Sequence, residues 1–252
     1  MKVTATIVLM VAACCTIPRT ADAGPVTINI GSFSGGTAVL HAPGTLANGL
    51  NVYLGAVRIT GDLGSFDSYC VDLQHYAVLG TNQANVDSMA NWNNAAVPAH
   101  ASLGGGAASW LYTTYSGVAA GNKDLQAALS LAIWNVLYDN DFSVTSGTGF
   151  YATSLSNAAY ASTADGWLDQ LSDQIASGAP LPQASWLRTI DGTNHRSQDF
   201  IAPAPVPEPA SVFLMGSGLA SLIAYRRRGR GRKSGDVSVN VSQTRHRDSA
   251  GR

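Results

Sequence analysis

The sequence predicts one α+β domain in which a β-rich part comes first, a helical part follows and a β-hairpin closes the domain. The apolar residues recur with a period of two up to about residue 79, and with a helical period from there to residue 177. Two short alternating segments, residues 186–190 and 198–202, flank Asp191-Gly192 and predict the late hairpin. An uncharged stretch of 16 residues, 210–225, predicts one C-terminal transmembrane helix outside the domain.

The β-rich part rests on three segments in which apolar and polar residues alternate. They cover residues 26–30, 52–54 and 57–59, and glycine-rich turns separate them. Alternation of this kind predicts strands that bury one face.

The helical part rests on apolar residues that recur every three or four positions. This spacing predicts helices over residues 82–92, 107–115, 125–138 and 157–177. The three glycines at 104–106 are interpreted as a flexible turn.

The N-terminus has the three parts of a secretory signal peptide. Lys2 is the positive region, residues 7–13 are apolar, and Ala21-Asp22-Ala23 is an A-x-A cleavage site that predicts a mature protein starting at Gly24. A second interpretation stays open, because the residues before Cys14 resemble a lipoprotein motif that would leave Cys14 lipidated. Both interpretations predict export across the inner membrane.

The C-terminus has a short rigid motif, an apolar run and a basic cluster. The two prolines of Val206-Pro207-Glu208-Pro209 predict an extended segment accessible to a protease. After the apolar run, the basic residues should remain cytoplasmic. This stop-transfer cluster consists of Arg226, Arg227, Arg228, Arg230, Arg232 and Lys233.

These three parts, in this order, resemble the PEP-CTERM sorting signal of exported Gram-negative proteins. The resemblance implies cleavage near Pro-Glu-Pro by an exosortase-type membrane protease, and membrane contact through the helix before processing. It implies an outer membrane, cell-surface or matrix location, with a structural or adhesive role in exopolysaccharide or biofilm. A plain membrane anchor without processing is the alternative.

The chain therefore divides into five predicted segments. They are a signal peptide (1–23), an exported domain (24–202), a proline-rich spacer with the sorting motif (203–209), a transmembrane helix (210–225) and a basic cytoplasmic tail (226–252).

The exported part is acidic and lacks the motifs of common enzymes. Residues 24–209 hold four basic and 13 acidic residues, so the net charge is −9 and nucleic-acid binding is not expected. The sequence has no G-x-S-x-G motif, no phosphate loop between a strand and a helix, and no histidine pair at metal-ligand spacing. We expect a non-enzymatic protein without a cofactor or metal.

Cys70 is the only cysteine that remains after cleavage at residue 23. An unpaired cysteine in an exported domain has two interpretations: a small buried hydrophobic residue, or a reactive thiol.

Its neighbourhood, Tyr69-Cys70-Val71-Asp72-Leu73, together with the downstream segment Ala132-Ile133-Trp134, resembles the thioester domains of bacterial surface proteins. In that family a cysteine thiol attacks a glutamine amide, ammonia leaves, and the thioester later acylates an amine on a target.

The resemblance places Cys70 at the cysteine position and Ser130 where the glutamine belongs. Serine has no amide to acylate. Gln126, one helical turn earlier, is the candidate partner for Cys70 in a covalent adhesin, and Gln74 is a further candidate.

Asp139-Asn140-Asp141 ends the predicted helix over residues 125–138. Its oxygens suit calcium, but the spacing and turn glycine of a calcium loop are missing, so a solvated helix terminus is the preferred interpretation.

Overall fold

The computed structural model describes residues 25–93, 102–193, 195–204 and Ser221. The chain divides into two units, Met1–Pro205 and Val206–Arg252, and the domain described below belongs to the first.

The domain has three α-helices, nine strands and one 3₁₀ turn within the described residues. The helices are α1 Gly104–Ala119, α2 Lys123–Tyr138 and α3 Ala159–Ala176, and the 3₁₀ turn is Met89–Asn91. The strands are β1 Val26–Phe33, β2 Thr37–His41, β3 Asn51–Tyr53, β4 Val57–Gly61, β5 Gly64–Cys70, β6 Gly80–Ser88, β7 Tyr151–Thr153, β8 Ala184–Ile190 and β9 Phe200–Pro203.

Six strands form a closed antiparallel barrel in the order β1-β4-β5-β9-β8-β6. Alternate residues of β1 and β4 turn inward, so Ile28, Ile30 and Ile59 are buried in the core. The predicted late hairpin is confirmed, because β8 and β9 pair and close the barrel next to β5.

The remaining three strands form a small sheet in the order β3-β2-β7. β1 continues into β2 and β3 continues into β4, so one two-stranded ribbon belongs to both the barrel and the small sheet. The ribbon bends where Gly35 and Gly55 cross. A Cβ on Gly35 would lie 2.4 Å from the Leu54 carbonyl oxygen, and a Cβ on Gly55 would lie 2.5 Å from the Gly35 nitrogen. Only glycine permits this crossing.

Helix α2 runs through the middle of the domain. Asn122 caps its start by accepting hydrogen bonds from the backbone of Asp124 and Leu125, and every residue from Gln126 to Tyr138 is buried. The predicted helix over residues 125–138 is therefore confirmed. α1 and α3 flank it, with the rings of Tyr115 and Trp167 stacked 4.5 Å apart.

Two local predictions are wrong. Residues 82–92 form most of β6 and the 3₁₀ turn, because Asn82 and Ala84 alternate into the barrel and the strand pairs with both β1 and β8. The glycines at 104–106 are the first turn of α1. Gly105 is required there, since a Cβ would lie 1.7 Å from the Met89 carbonyl oxygen.

The mixed α and β composition is as predicted. Among the described residues no helix is long and apolar enough to span a bilayer. The signal peptide, Cys14, the spacer from residue 205 onward, the predicted transmembrane stretch apart from Ser221, and the basic tail all lie outside the described residues.

Candidate functional site

Cys70 lies at the end of β5, where it pairs with Phe200 of β9. Its side chain is 3% exposed and belongs to the hydrophobic core. Burial raises the pKa of the Cys70 thiol, and the neighbouring carboxylates of Asp72 and Asp199 raise it further. The thiol is therefore protonated at neutral pH, which lowers its reactivity as a nucleophile.

Four residues spaced by one helical turn along α2 hold the strands in place. We call Gln126, Ser130, Trp134 and Tyr138 the α2 stripe; all four are buried and carry a polar group. Each of them forms a hydrogen bond to a residue of the ribbon bend or of the segment around Cys70.

The first half of the stripe contacts the ribbon bend. The Ser34 hydroxyl donates to the side-chain oxygen of Gln126. The Gly55 N–H donates to Ser130 Oγ at 2.8 Å, and the Ser130 hydroxyl donates back to the Gly55 carbonyl at 3.2 Å. Ser130 thus gives the buried N–H of Gly55 a hydrogen-bond partner.

The second half of the stripe contacts the end of β5. Trp134 Nε1 donates to the Cys70 carbonyl at 2.8 Å, and the Tyr138 hydroxyl accepts from the Leu73 N–H at 2.8 Å. Cys70 therefore contacts Trp134, which lies about 12 Å along the helix axis from Gln126. No hydrogen bond joins Cys70 to Gln126 or Gln74 in the part of the chain that the structure describes.

Gln74 lies at the surface, where its Nε2 donates to the Gly44 carbonyl. The glutamine that shares a pocket with Cys70 is Gln198, whose Nε2 donates to the Asp72 carbonyl at 2.8 Å. The register explains this position: Cys70 pairs with Phe200 and the Val71 N–H donates to the Asp199 carbonyl, so Gln198 lies opposite Asp72. Sequence spacing gave no signal for Gln198, because 128 residues separate it from Cys70.

The pocket beside Cys70 has a volume of about 330 Å³. Its buried end is formed by Cys70, Trp134 and Leu73, and its polar groups include His75 and Gln198. Its mouth carries four large apolar side chains that are unusually exposed: Tyr53 (70%), Tyr76 (67%), Leu46 (44%) and Leu50 (40%). Clustered exposed apolar side chains around a concavity are typical of binding sites.

The sequence analysis did not identify these mouth residues. One signal in the sequence could have identified two of them. Leu46 and Leu50 lie in a turn-like stretch rich in glycine and asparagine, where buried residues are not expected, so their side chains are expected at the surface.

The aspartates next to the pocket are engaged in structural hydrogen bonds. Asp72 accepts from the Gln74 N–H and from His75 Nδ1. Asp199 accepts from Trp186 Nε1, the Thr189 N–H and the Arg196 guanidinium. Burial and the charge of Asp72 raise the pKa of Asp199 to about 6, although Arg196 and these hydrogen bonds act in the opposite direction.

The aspartates that follow α2 also fix the backbone. Asp139 is buried, not solvated as expected from sequence, and its Oδ2 accepts from the N–H groups of Gly149 and Phe150. Asp141 accepts from the Asn135 side-chain amide. Within the described residues no group of three or more His, Cys, Asp or Glu side chains is arranged to hold a metal ion.

Comparison with known proteins gives one match. The family model described as the PEP-CTERM protein-sorting motif matches residues 205–228. The matched stretch contains Val206, Pro207, Glu208 and Pro209 and the first three arginines of the basic cluster, Arg226, Arg227 and Arg228. No curated protein and no solved structure matches the chain.

The matched motif identifies how the protein is handled by the cell. Proteins with this signal are exported through the membrane, are processed by an exosortase and reach the cell surface or the extracellular space. The match therefore supports the conclusion that this chain is a PEP-CTERM protein, which is exported and sorted by an exosortase.

Proposed function

We propose that this protein is a non-enzymatic component of the cell surface or extracellular matrix, with a structural or adhesive role in exopolysaccharide or biofilm. The pocket beside Cys70 is its contact site. The observation that carries the proposal is the cluster of exposed apolar side chains at the pocket mouth, Leu46, Leu50, Tyr53 and Tyr76. Exposed apolar clusters of this kind mark interaction sites, so we interpret this one as the surface that binds a partner.

The thiol in the pocket and the carboxylates next to the pocket support binding without catalysis. The Cys70 thiol is buried with a raised pKa, and the carboxylates of Asp72 and Asp199 are occupied by backbone and side-chain donors. Groups held in this way stabilise the fold and are poorly placed for proton transfer to a substrate.

The test uses a host strain that lacks the gene and is complemented with variants. Tyr53→Ala/Tyr76→Ala should be exported and processed like the wild type but should be lost from the matrix fraction, because the mouth of the pocket no longer binds. Val118→Ala is the matched control, since Val118 is also exposed (62%) but does not line the pocket. Equal matrix retention of the double variant and the wild type would contradict the proposal.

The alternative is a covalent adhesin with a Cys70–glutamine thioester. One observation favours keeping it: Cys70 shares its pocket with a carboxamide, that of Gln198. In this reaction the thiol sulfur bonds to the amide carbon and ammonia leaves. Gln126, one helical turn before the glutamine position of the family, remains the candidate partner named from the sequence, although its side chain accepts a hydrogen bond from Ser34.

Intact mass separates the two proposals. A thioester lowers the mass by one ammonia, and methylamine restores and exceeds the original mass; fragment masses would then distinguish Gln126, Gln74 and Gln198. We expect the unmodified mass, with Cys70 alkylated only after unfolding. A mass short by one ammonia would instead establish the covalent adhesin.

A further inference from the structure

β3, one of the two edge strands of the small sheet, has unpaired backbone groups. In the β2–β3 ladder the Leu40 N–H donates to the Leu50 carbonyl, and the Leu54 N–H donates to the Gly36 carbonyl at 2.8 Å. In an antiparallel ladder hydrogen-bonded pairs alternate with non-hydrogen-bonded pairs. Val52 and Ala38, which lie opposite each other, therefore form a hydrogen-bonded pair. Asn51 and Tyr53 on either side of Val52 belong to non-hydrogen-bonded pairs.

Consequently the N–H and C=O groups of Asn51 and Tyr53 point away from β2. The other edge of β2 agrees with this pattern. The backbone groups of its odd-numbered residues are directed toward β7, and the Thr37 carbonyl accepts from the Ser156 N–H. Among the described strands only β2 pairs with β3, so these outward groups of Asn51 and Tyr53 have no strand partner.

The residues of this open edge also line the pocket. All three residues of β3 belong to its lining, and so do Leu73, Tyr76 and Ala77 of the segment after β5. The outward groups of Asn51 and Tyr53 are about 6.6 Å apart along the strand. This is the repeat at which an added polypeptide strand presents its own N–H and C=O groups.

The chemistry of the walls restricts the occupant further. The residues at the mouth and the buried end of the pocket are mostly apolar, which suits an apolar side chain. The exported part carries a net charge of −9, which repels an acidic polypeptide and also a second copy of this chain.

We propose that this pocket binds a neutral or basic polypeptide in extended conformation. The polypeptide adds as a strand to the Asn51–Tyr53 edge, and one of its apolar side chains enters the pocket between the mouth tyrosines toward Cys70 and Trp134. This inference rests on the proposed role of the pocket as the contact site, and it names the class of ligand.

The test measures binding of fluorescent nine-residue peptides to the processed protein purified from its host. The peptides carry Lys at both ends, alternating Thr and Val, and Leu, Phe or Tyr at the centre. We expect saturable binding below about 1 mM, weakened at least about tenfold by Tyr53→Ala. Leu63→Ala is the matched control, since Leu63 is exposed but does not line the pocket.

N-methylated peptides test the strand geometry directly. Methyl groups on alternate amides remove the donors from one edge of the peptide only. Methylation in one phase should abolish binding, while methylation in the other phase should leave it within about twofold. Equal effects of both phases, or no binding of any peptide, would overturn the inference.

A second probe separates this inference from the proposed function. This probe is purified exopolysaccharide of the host. If it binds the wild-type protein but not Tyr53→Ala, the inference of a polypeptide ligand is overturned and the proposed matrix role is kept. If neither probe binds and the Tyr53→Ala/Tyr76→Ala variant stays in the matrix, both proposals fail.

Discussion

The barrel and the small sheet share one ribbon but differ in which strand edges they leave unpaired. In the barrel each strand has a neighbour on both sides, so the sheet has no free edge. In the small sheet β3 ends the order and presents two N–H and two C=O groups beside a pocket with an apolar mouth. The closed part holds much of the core, whereas the open part carries the surface that we propose as the contact site. The bend at Gly35 and Gly55 separates the two parts.

Breaking the bend should give the largest effect. Gly55→Ala places a methyl group 2.5 Å from the Gly35 nitrogen at a φ of +101°, so we expect a loss of about 4 kcal/mol in the free energy of unfolding. Gly49→Ala is the matched control: its φ is +76° but nothing lies within 4 Å, and the expected cost is about 1 kcal/mol. Urea unfolding measures both. Equal losses would mean that the crossing is not tight.

Asp199, which precedes the barrel strand β9, should make the stability of the domain depend on pH. The pKa of Asp199 in the folded protein is about 6, above its ordinary value of 3.8, so the folded state binds the proton more tightly than the unfolded state. Stability is therefore lost as the pH rises from about 4 to about 6, by up to about 3 kcal/mol. Asp72 enlarges this effect and Arg196 reduces it.

Unfolding of the wild type and of Asp199→Asn at pH 4 to 7 measures this contribution. As the pH rises, the free energy of unfolding of Asp199→Asn should increase relative to that of the wild type. Parallel curves would show that Asp199 has an ordinary pKa.

Loosening the contact between α2 and the bend should cost less. Ser130→Ala leaves the buried N–H of Gly55 without a partner, with an expected loss of about 2 kcal/mol. Ser109→Ala is the control, because Ser109 is equally buried but its hydroxyl donates only to the Gly105 carbonyl of its own helix. We expect a change within about 0.5 kcal/mol there. Equal losses in thermal or urea unfolding would contradict a specific role of Ser130.

Changes at the open edge should have the smallest effect on stability. Tyr53→Ala and Tyr76→Ala remove side chains that are 70% and 67% exposed, so the free energy of unfolding should change by less than about 0.5 kcal/mol. A larger loss would mean that these tyrosines support the fold, and that any loss of binding in the variants reflects unfolding.

The sequence predicts the elements with strong local signals. The apolar spacing of residues 125–138 identifies α2, and the alternation around Asp191-Gly192 identifies the late hairpin. β6 was predicted as a helix, because its polar residues Asn82 and Asn85 hide the period of two that pairing with β1 and β8 enforces.

The site was predictable only in part. The burial of Cys70 is one of the two interpretations that the sequence leaves open, and the structure shows it buried. The placement of Ser130 at the glutamine position of a thioester domain stays a prediction. The pocket mouth was not predicted, because its residues come from turns and an edge strand whose proximity depends on the bend of the ribbon. Gln198 joins the pocket only through strand pairing across 128 residues.

The position of β9 has a mechanical consequence. β9 is the last strand of the described domain, and Phe200 in it pairs directly with Cys70 at the inner end of the pocket. A pulling force applied to the C-terminal end of β9 along the strand would load the ladders to β5 and to β8 together. Hydrogen bonds on both sides of β9 would then resist shear at the same time.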